Sequence, residues 1–523
     1  MNHSPTKGFR LRSLSLALVS AFLLAGCMGG YNTKVSDTVA AARSGSPQAA
    51  LADLEANNPG KDKDLLYFLE KGELQRMQGS LNDSITSWME ADSRVREWEE
   101  AVKTDFSKVL GDVGAFVIND TMRRYDGRDY EKVLLSTRLA LNHVAEGNWD
   151  AARVEIKKMH EREAIIAEFR SKELDDAKQK TEEKGLKATS FKDLQGYPVE
   201  TLDDPEVQAL KNSYESAFAN YLAGFVYEAL GEPSLAAAGY RKAIEMRPGQ
   251  PILEEALAKL DQRTAPAPKI KRTSNDKSKK HGEGVAGVDT LIVVETGNAP
   301  AIKSRVLPIP LPIPSKGGLQ VVMTPLSWPV VDKGDVNSVP ANLTLNSNLQ
   351  PLVLVTSVDQ MARRAIADEM PGIIARSSVR AIVKGAAQKA IQDNASGVAG
   401  AVLSIVAGVA AVASEQADER SWQTLPGFFS LTRAVLPHGT NQITLNTPLG
   451  PVSREVSLSG KHALVVLRTS GNALYLSQTP FDPNALPVAV VEAEPEPPKS
   501  KSKAVPKRKT EKSSKPTTKN ASL

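Results

Sequence analysis

From residue 45 to about 262, apolar side chains recur every three or four positions. Stretches such as FLEKGELQRMQGSLNDSITSWMEA, LALNHVAEGNWDAARVEIKKMH and LAGFVYEALGEPSLAAAGYRKAIEMRP therefore predict amphipathic helices joined by tight turns. Beyond residue 285 the period shortens. VDTLIVVET, LQVVMTP, ANLTLN and PLVLVTS are β-branched runs bounded by Gly, Pro or Asn, which predicts strands. RVLPIPLPIPSKGG has proline at alternate positions, so it is expected to be extended or polyproline-like and confined to a sheet edge. Two helices are expected over 358–393 and 396–417. A second strand set, GFFSLTRAVLP, NQITLNT, VSREVSL, HALVVLRT and ALYLSQ, then closes an α+β, β-sandwich-like domain with a helical insert.

The helical half repeats itself. Gly45, Gly79 and Gly147 are separated by 34 and 68 residues, one and two periods of a 34-residue unit, and Gly231 follows after a longer interval. A helix-turn-helix of that length is the tetratricopeptide (TPR) signature, so an all-α solenoid precedes the α+β domain. Further positions fit: Gly72, Gly224 and Ala236 where helices touch, Tyr227 and Tyr240 in core slots, and Pro248 ending a unit. At the missing turn the period falls on Val113, with Gly114 one step away, which reads as a degenerate repeat. Stacked first helices make a concave groove that holds partner segments. Counting back from the turn glycines, its lining is Phe218, Tyr221, Phe225 and Glu228 in the last clear repeat and Leu134, Thr137, Leu141 and Val144 in the middle one. The earlier repeat supplies Leu66, Leu69, Glu73 and Arg76. Two readings stand for this stripe: a partner-binding surface, or core covered by a neighbouring helix or by the inserted segment Asp175 to Val207.

The chain's single cysteine, Cys27, ends the stretch LLAGC, downstream of Lys7, Arg10 and Arg12 and an apolar run too short to span a membrane. This resembles the lipobox of bacterial lipoproteins. The likeness implies cleavage before Cys27, acylation of its thiol and a chain anchored by lipid, which exceeds the two-signal threshold for stable attachment. Met28 stands where aspartate would favour inner-membrane retention, so outer-membrane placement facing the periplasm is expected. With no second cysteine, disulfides are excluded.

Charge divides the chain further. TAPAPKIKRTSNDKSKKHGEG and the end EAEPEPPKSKSKAVPKRKTEKSSKPTTKNASL are polar, proline- and lysine-rich segments that cannot recover their ordering entropy. The first, counted from Arg263, carries +5, as does the tail, and with the basic signal residues set aside the remaining body is near −9. An acidic body argues against a nucleic-acid surface. The tail reads as a solubilising segment, or as a weak contact for anionic lipid or cell-wall polymer. The expected organisation is a signal peptide (1–26), a lipidated tether (27–44), the TPR-like helices (45–262), a basic linker (263–284), the α+β domain (285–490) and a basic tail (491–523).

Motifs for chemistry are sparse. GEGVAG (282–287) precedes a strand and opens no helix, so it is not a dinucleotide loop. The histidines lack metal-ligand spacing, and there is no GxSxG and no Walker loop. No cofactor or metal is expected. The uncharged helix GVAGAVLSIVAGVAAVAS (397–414) has small residues at helical spacing, suited to close packing in a core or an oligomer or, alternatively, to membrane insertion.

The lipobox, YDGRDYEKVLLSTRLALNHVAEGNWDAARVEIKK, the small-residue helix and ADERSWQTLPGFFSLTRAVLP together resemble a family of Gram-negative TPR-containing outer-membrane lipoproteins. The resemblance brings no enzymatic residues; what it transfers is lipidation at Cys27. The expected function is a non-enzymatic, outer-membrane-anchored periplasmic scaffold that binds an envelope protein through its groove. The alternatives are a regulator of peptidoglycan synthesis or envelope assembly, and a pore- or secretion-associated component using helix 397–414.

Overall fold

The computed structural model describes residues 30–109, 124–183, 202–264, 287–315, 318–370, 372–373, 417–447, 450–471 and 473–485. Val113, the helix over 397–414, most of the linker and the tail lie outside these residues.

Helices come in pairs: α1 (Tyr31–Arg43) with α2 (Pro47–Ala56), α3 (Leu65–Met77) with α4 (Leu81–Thr104), α5 (Asp129–Ala145) with α6 (Trp149–Glu183), and α7 (Ala217–Ala229) with α8 (Pro233–Met246), followed by α9 (Pro251–Thr264). The turn between partners is the same each time. Gly45, Gly79, Gly147 and Gly231 have φ between +74° and +82°. The residue after each glycine donates its N–H back five positions along the first helix, as Ser46 does to Ala41 and Asn148 to His143. This Schellman closure satisfies the last carbonyls and needs the left-handed conformation that glycine adopts without strain. Starts are encoded locally too: Asp64 caps Tyr67 N and Ser216 caps Ala219 N.

Residues 31–43, expected as part of a tether, are a helix with Val35, Val39 and Ala42 buried. α7 is buried nearly all round, and its close pairing with α8 depends on Gly224. A Cβ there would lie 2.5 Å from the Tyr240 ring.

Among the described residues the second half holds eleven strands, at nearly all the expected places. A five-stranded sheet has the order β11 (Ala473–Gln478), β10 (His462–Ser470), β1 (Val288–Thr296), β7 (Phe428–Leu436), β6 (Val353–Ser357). β1 and β10 run parallel and the other pairs are antiparallel. A four-stranded sheet, β5 (Asn348–Pro351), β4 (Asn342–Leu345), β8 (Gly439–Thr447), β9 (Gly450–Leu458), packs on one face of it. Val288, Ile292, Val294, Val465 and Leu467 meet Leu343, Ile443, Leu445 and Val456 in that sandwich core. The helix predicted after β6 is present over 358–370.

The proline-rich stretch forms β2 (Ile302–Ser315), paired with β3 (Gly318–Val331) in a separate hairpin. Prolines at 308, 310, 312 and 314 leave the alternate N–H groups of 307, 309, 311 and 313 to face β3. The outer edge of β2 therefore has no donor over those residues and cannot template another strand.

The two expected domains share one core. Every residue of β1 is buried, because one face meets the second sheet while the other, with Leu291 and Val293, joins the helices. A single hydrophobic cluster runs from Leu65 on α3 through Phe218 on α7 to Val466 on β10. A strand covered on both faces carries a continuous apolar run, which explains VDTLIVVET.

Gly224→Ala is expected to lower unfolding free energy by about 1–3 kcal/mol through overpacking against Tyr240. Urea titration followed by circular dichroism measures this, and a loss within error of zero would show that the helices do not need such close approach.

Candidate functional site

The inner faces of α3, α5 and α7 are where a solenoid would receive a partner, and here they meet the five-stranded sheet. Leu134, Leu141, Phe218, Tyr221 and Phe225 are each 0% exposed. Phe218 stacks on Phe429 of β7 at 4.5 Å, and its N–H donates to Thr356 Oγ1 of β6 at 3.1 Å. Phe225 has the edge of His462 from β10 at 5.8 Å and the Arg433 guanidinium at 4.9 Å. Tyr221 packs on Tyr240 at 5.2 Å. Glu228 accepts hydrogen bonds from Tyr240 Oη (2.6 Å), Arg263 (2.5 Å) and Arg433 (3.0 Å). The predicted stripe is therefore brought together as one surface, and β1, β7 and β10 cover it; of the inserted segment expected as an alternative cover, residues 184–201 lie outside the described residues. Burying a Leu or Phe stabilises by about 1.5–3 kcal/mol, so exposing Leu134, Leu141, Phe218 and Phe225 would cost on the order of 6–12 kcal/mol, comparable to the stability of a whole domain. Cys27 lies outside the described residues.

Charged residues at this interface were not singled out from the sequence. Arg138 on α5 makes two hydrogen bonds to Glu73 on α3 (2.7 and 2.8 Å) and one to Glu295 on β1, all three side chains being sealed from solvent. Arg433 on β7 bridges Glu228 to Asp289 of β1. Burial alone would raise the Asp289 carboxyl, but its hydrogen bonds with Arg433 outweigh that and hold it below the ordinary range. A signal existed: an acid inside a β-branched run, such as Asp289 or Glu295, must meet a cation if both strand faces are covered.

Two further carboxylates hold the segment leading into β7. Glu70 on α3 accepts from the backbone N–H of Gln423 (2.8 Å) and Thr424 (3.0 Å), from the Thr424 hydroxyl and from Tyr31 Oη (3.2 Å). Glu131 on α5 accepts from Trp422 N (2.7 Å), from Arg128 N (2.9 Å) and from Tyr125 Oη. Arg128 donates to the Asp418 carbonyl at 2.8 Å, and Trp88 meets Trp422 edge-on at 5.9 Å. The stretches YDGRDYEKVLL and ADERSWQTLPGFF, nearly three hundred residues apart, are thus one structural unit. Burial pushes Glu70 up to about 7 against its four hydrogen bonds, and it raises Glu131 as well.

A cleft of about 130 Å³ opens beside this segment, with Trp98, Arg128, Lys132, Arg170 and Glu369 among its walls. Its charges neutralise one another: Glu369 pairs with Arg170 at 2.6 Å and with Arg128 at 3.5 Å, and Lys132 lies over Trp98 at 3.6 Å. Among the described residues no group of His, Cys, Asp and Glu could hold a metal ion, and no helix is long and apolar enough to cross a membrane.

No protein-family model and no curated protein matches the chain. Among solved structures it is similar to MamA MSR-1 C2, at 12% identity over 44% of this chain and 84% of that one, with a TM-score of 0.23. It is similar to the TPR2AB domain of yeast Sti1 in complex with pHSP90, at 12% identity over 44% and 83%, with a TM-score of 0.18. A tetratricopeptide repeat protein from Parabacteroides merdae matches at 14% identity over 44% and 98%, with a TM-score of 0.15. These superpositions are too poor to bear on function; the repeat character rests on the chain's own helix pairs and glycine turns.

The raised Glu70 pKa sets a sign for pH dependence. The folded state takes up a proton between about pH 7 and 4.5 that the unfolded chain does not, so stability is greatest below the unfolded value and declines as pH rises through 7. A shift of this size corresponds to roughly 3 kcal/mol. Chemical denaturation of the wild type and Glu70→Gln from pH 5 to 8 should show a steeper fall in the wild type than in the variant; equal slopes would refute the assignment.

Proposed function

We propose that the chain is a non-enzymatic envelope scaffold, anchored to the outer membrane through lipid on Cys27 and facing the periplasm. Its helical repeats use their inner surface to lock onto the chain's own β-sandwich. The observation that carries this reading is the burial of Phe218, Tyr221, Phe225, Leu134 and Leu141 against β1, β7 and β10. A solenoid filled in this way is a rigid platform, and contact with an envelope protein falls to its outer surface. There Met89 on α4, Val154 on α6 and Leu235 on α8 are apolar side chains 37%, 50% and 44% exposed on the second helices of three successive pairs. The lipobox motif ending at Cys27 supports the anchor, and the helices begin four residues after it, so the platform would sit close to the membrane surface. The basic tail is left as a weak contact for anionic lipid or cell-wall polymer.

Two measurements test this. Palmitate labelling and membrane fractionation should show the label and the outer-membrane location lost together in Cys27→Ser. In-cell photocrosslinking should give a discrete envelope adduct from positions 89, 154 or 235, while position 218 yields only the intramolecular link to β7. An intermolecular adduct confined to positions 218 and 225 would mean that the two halves open and the inner face is the binding site.

A further inference from the structure

Where α3 and α5 meet β1 and β10, five charged side chains are sealed together. Arg138 holds Glu73 and Glu295 as described. Arg468 on β10 lies 3.8 Å from Glu73 and donates to the carbonyls of Gly297 and Thr424 and to Asn298 Oδ1. Arg76, one turn beyond Glu73, donates to Asn142 Oδ1 and to Ser477 Oγ of β11 at 3.0 Å. None of the five is more than 6% exposed. Three guanidiniums face two carboxylates, leaving one positive charge. Glu70, a turn earlier on α3, is committed to the 421–424 segment through its own four hydrogen bonds. The surplus is felt by the cations: burial and the neighbouring Arg138 push Arg76 down to about 10, and burial lowers Arg468.

Against these groups lies a small cavity of about 10 Å³, bordered by Glu73, Arg76, Arg468, Tyr475 and Ser477. Tyr475 stands directly opposite Arg468 in the β10–β11 register. Arg468 Nε and the Tyr475 hydroxyl are buried donors that make no hydrogen bond within the protein. Glu73 is the one carboxylate on the wall, and Arg138 already occupies both of its oxygens. A buried net charge is strongly unfavourable unless paired, and a void of this size admits about one water-sized particle.

We propose that this cavity binds a single monatomic anion of the halide class, held by Arg76, Arg468 and the Tyr475 hydroxyl, which cancels the surplus charge and ties the sheet to the helices. Its size excludes phosphate and sulfate, and the sign of the surplus excludes cations.

The test is thermal unfolding of the purified full chain in sodium chloride, bromide, gluconate and sulfate at matched ionic strength, each compared with Tyr475→Phe and Arg76→Gln. Chloride and bromide should raise the wild-type midpoint saturably, by on the order of 2–4 °C relative to gluconate. Tyr475→Phe removes one donor and no charge, so it should raise the half-saturating halide concentration several-fold. Arg76→Gln neutralises the cluster and should abolish the halide effect. Sulfate stabilises by exclusion from the surface and should act equally on all three proteins. Crystals soaked in bromide should show anomalous density between Arg468 and Tyr475. A wild-type midpoint indifferent to halide overturns the site, because bound water would give that result. A halide rise undiminished in both variants overturns it as well, as the mark of an adventitious ion only.

Discussion

The fold depends on covering the inner faces of three helices with one face of a β-sheet. α7 is buried almost all round, so it could not stand exposed in water as the lining of an open groove. Leu291 and Val293 of β1, Phe429 and Leu431 of β7 and Leu464 and Val466 of β10 provide the cover. Because the opposite face of the same sheet closes the sandwich, β1 is the element on which both cores rest. Removing it would open the helices and the second sheet together.

Within that apolar contact, charged residues determine how the two surfaces sit. Hydrophobic burial is non-directional and would tolerate some sliding of sheet over helices. The Glu73–Arg138–Glu295 bridge and the Glu228–Arg433–Asp289 bridge do not, because breaking either leaves an uncompensated buried charge. Glu70 and Glu131 do the same for the backbone before β7, satisfying N–H groups of Trp422, Gln423 and Thr424 that burial would otherwise leave without partners. Register between the halves is thus set by a few polar contacts inside a large apolar one.

This alters how a helical repeat array behaves. In an open solenoid each unit touches its neighbours alone and stability adds along the row. Here the bridges through Arg138 and Glu228 tie helices to strands 150 residues or more further along the chain, and those through Glu70 tie α3 to the segment before β7, more than 350 residues away. Such contacts close long loops, so the helices can pair locally while their final positions wait for the sheet, and cooperative loss of both halves is expected.

By itself the sequence determined the elements whose causes are local. The glycines at 45, 79, 147 and 231 announce the turns because those turns need positive φ, and the β-branched runs announce the strands because their alternation or continuity reports how many faces are covered. Grouping Leu134, Leu141, Phe218, Tyr221, Phe225 and Glu228 on one inner surface followed from helical periodicity. The occupant of that surface was decided in three dimensions. An apolar stripe records that something covers it and carries no mark of what. The charged partners that would name the cover, Arg138 with Glu295 and Glu228 with Arg433, are brought within hydrogen-bond reach by the packing of sheet on helices, across separations that no local pattern spans.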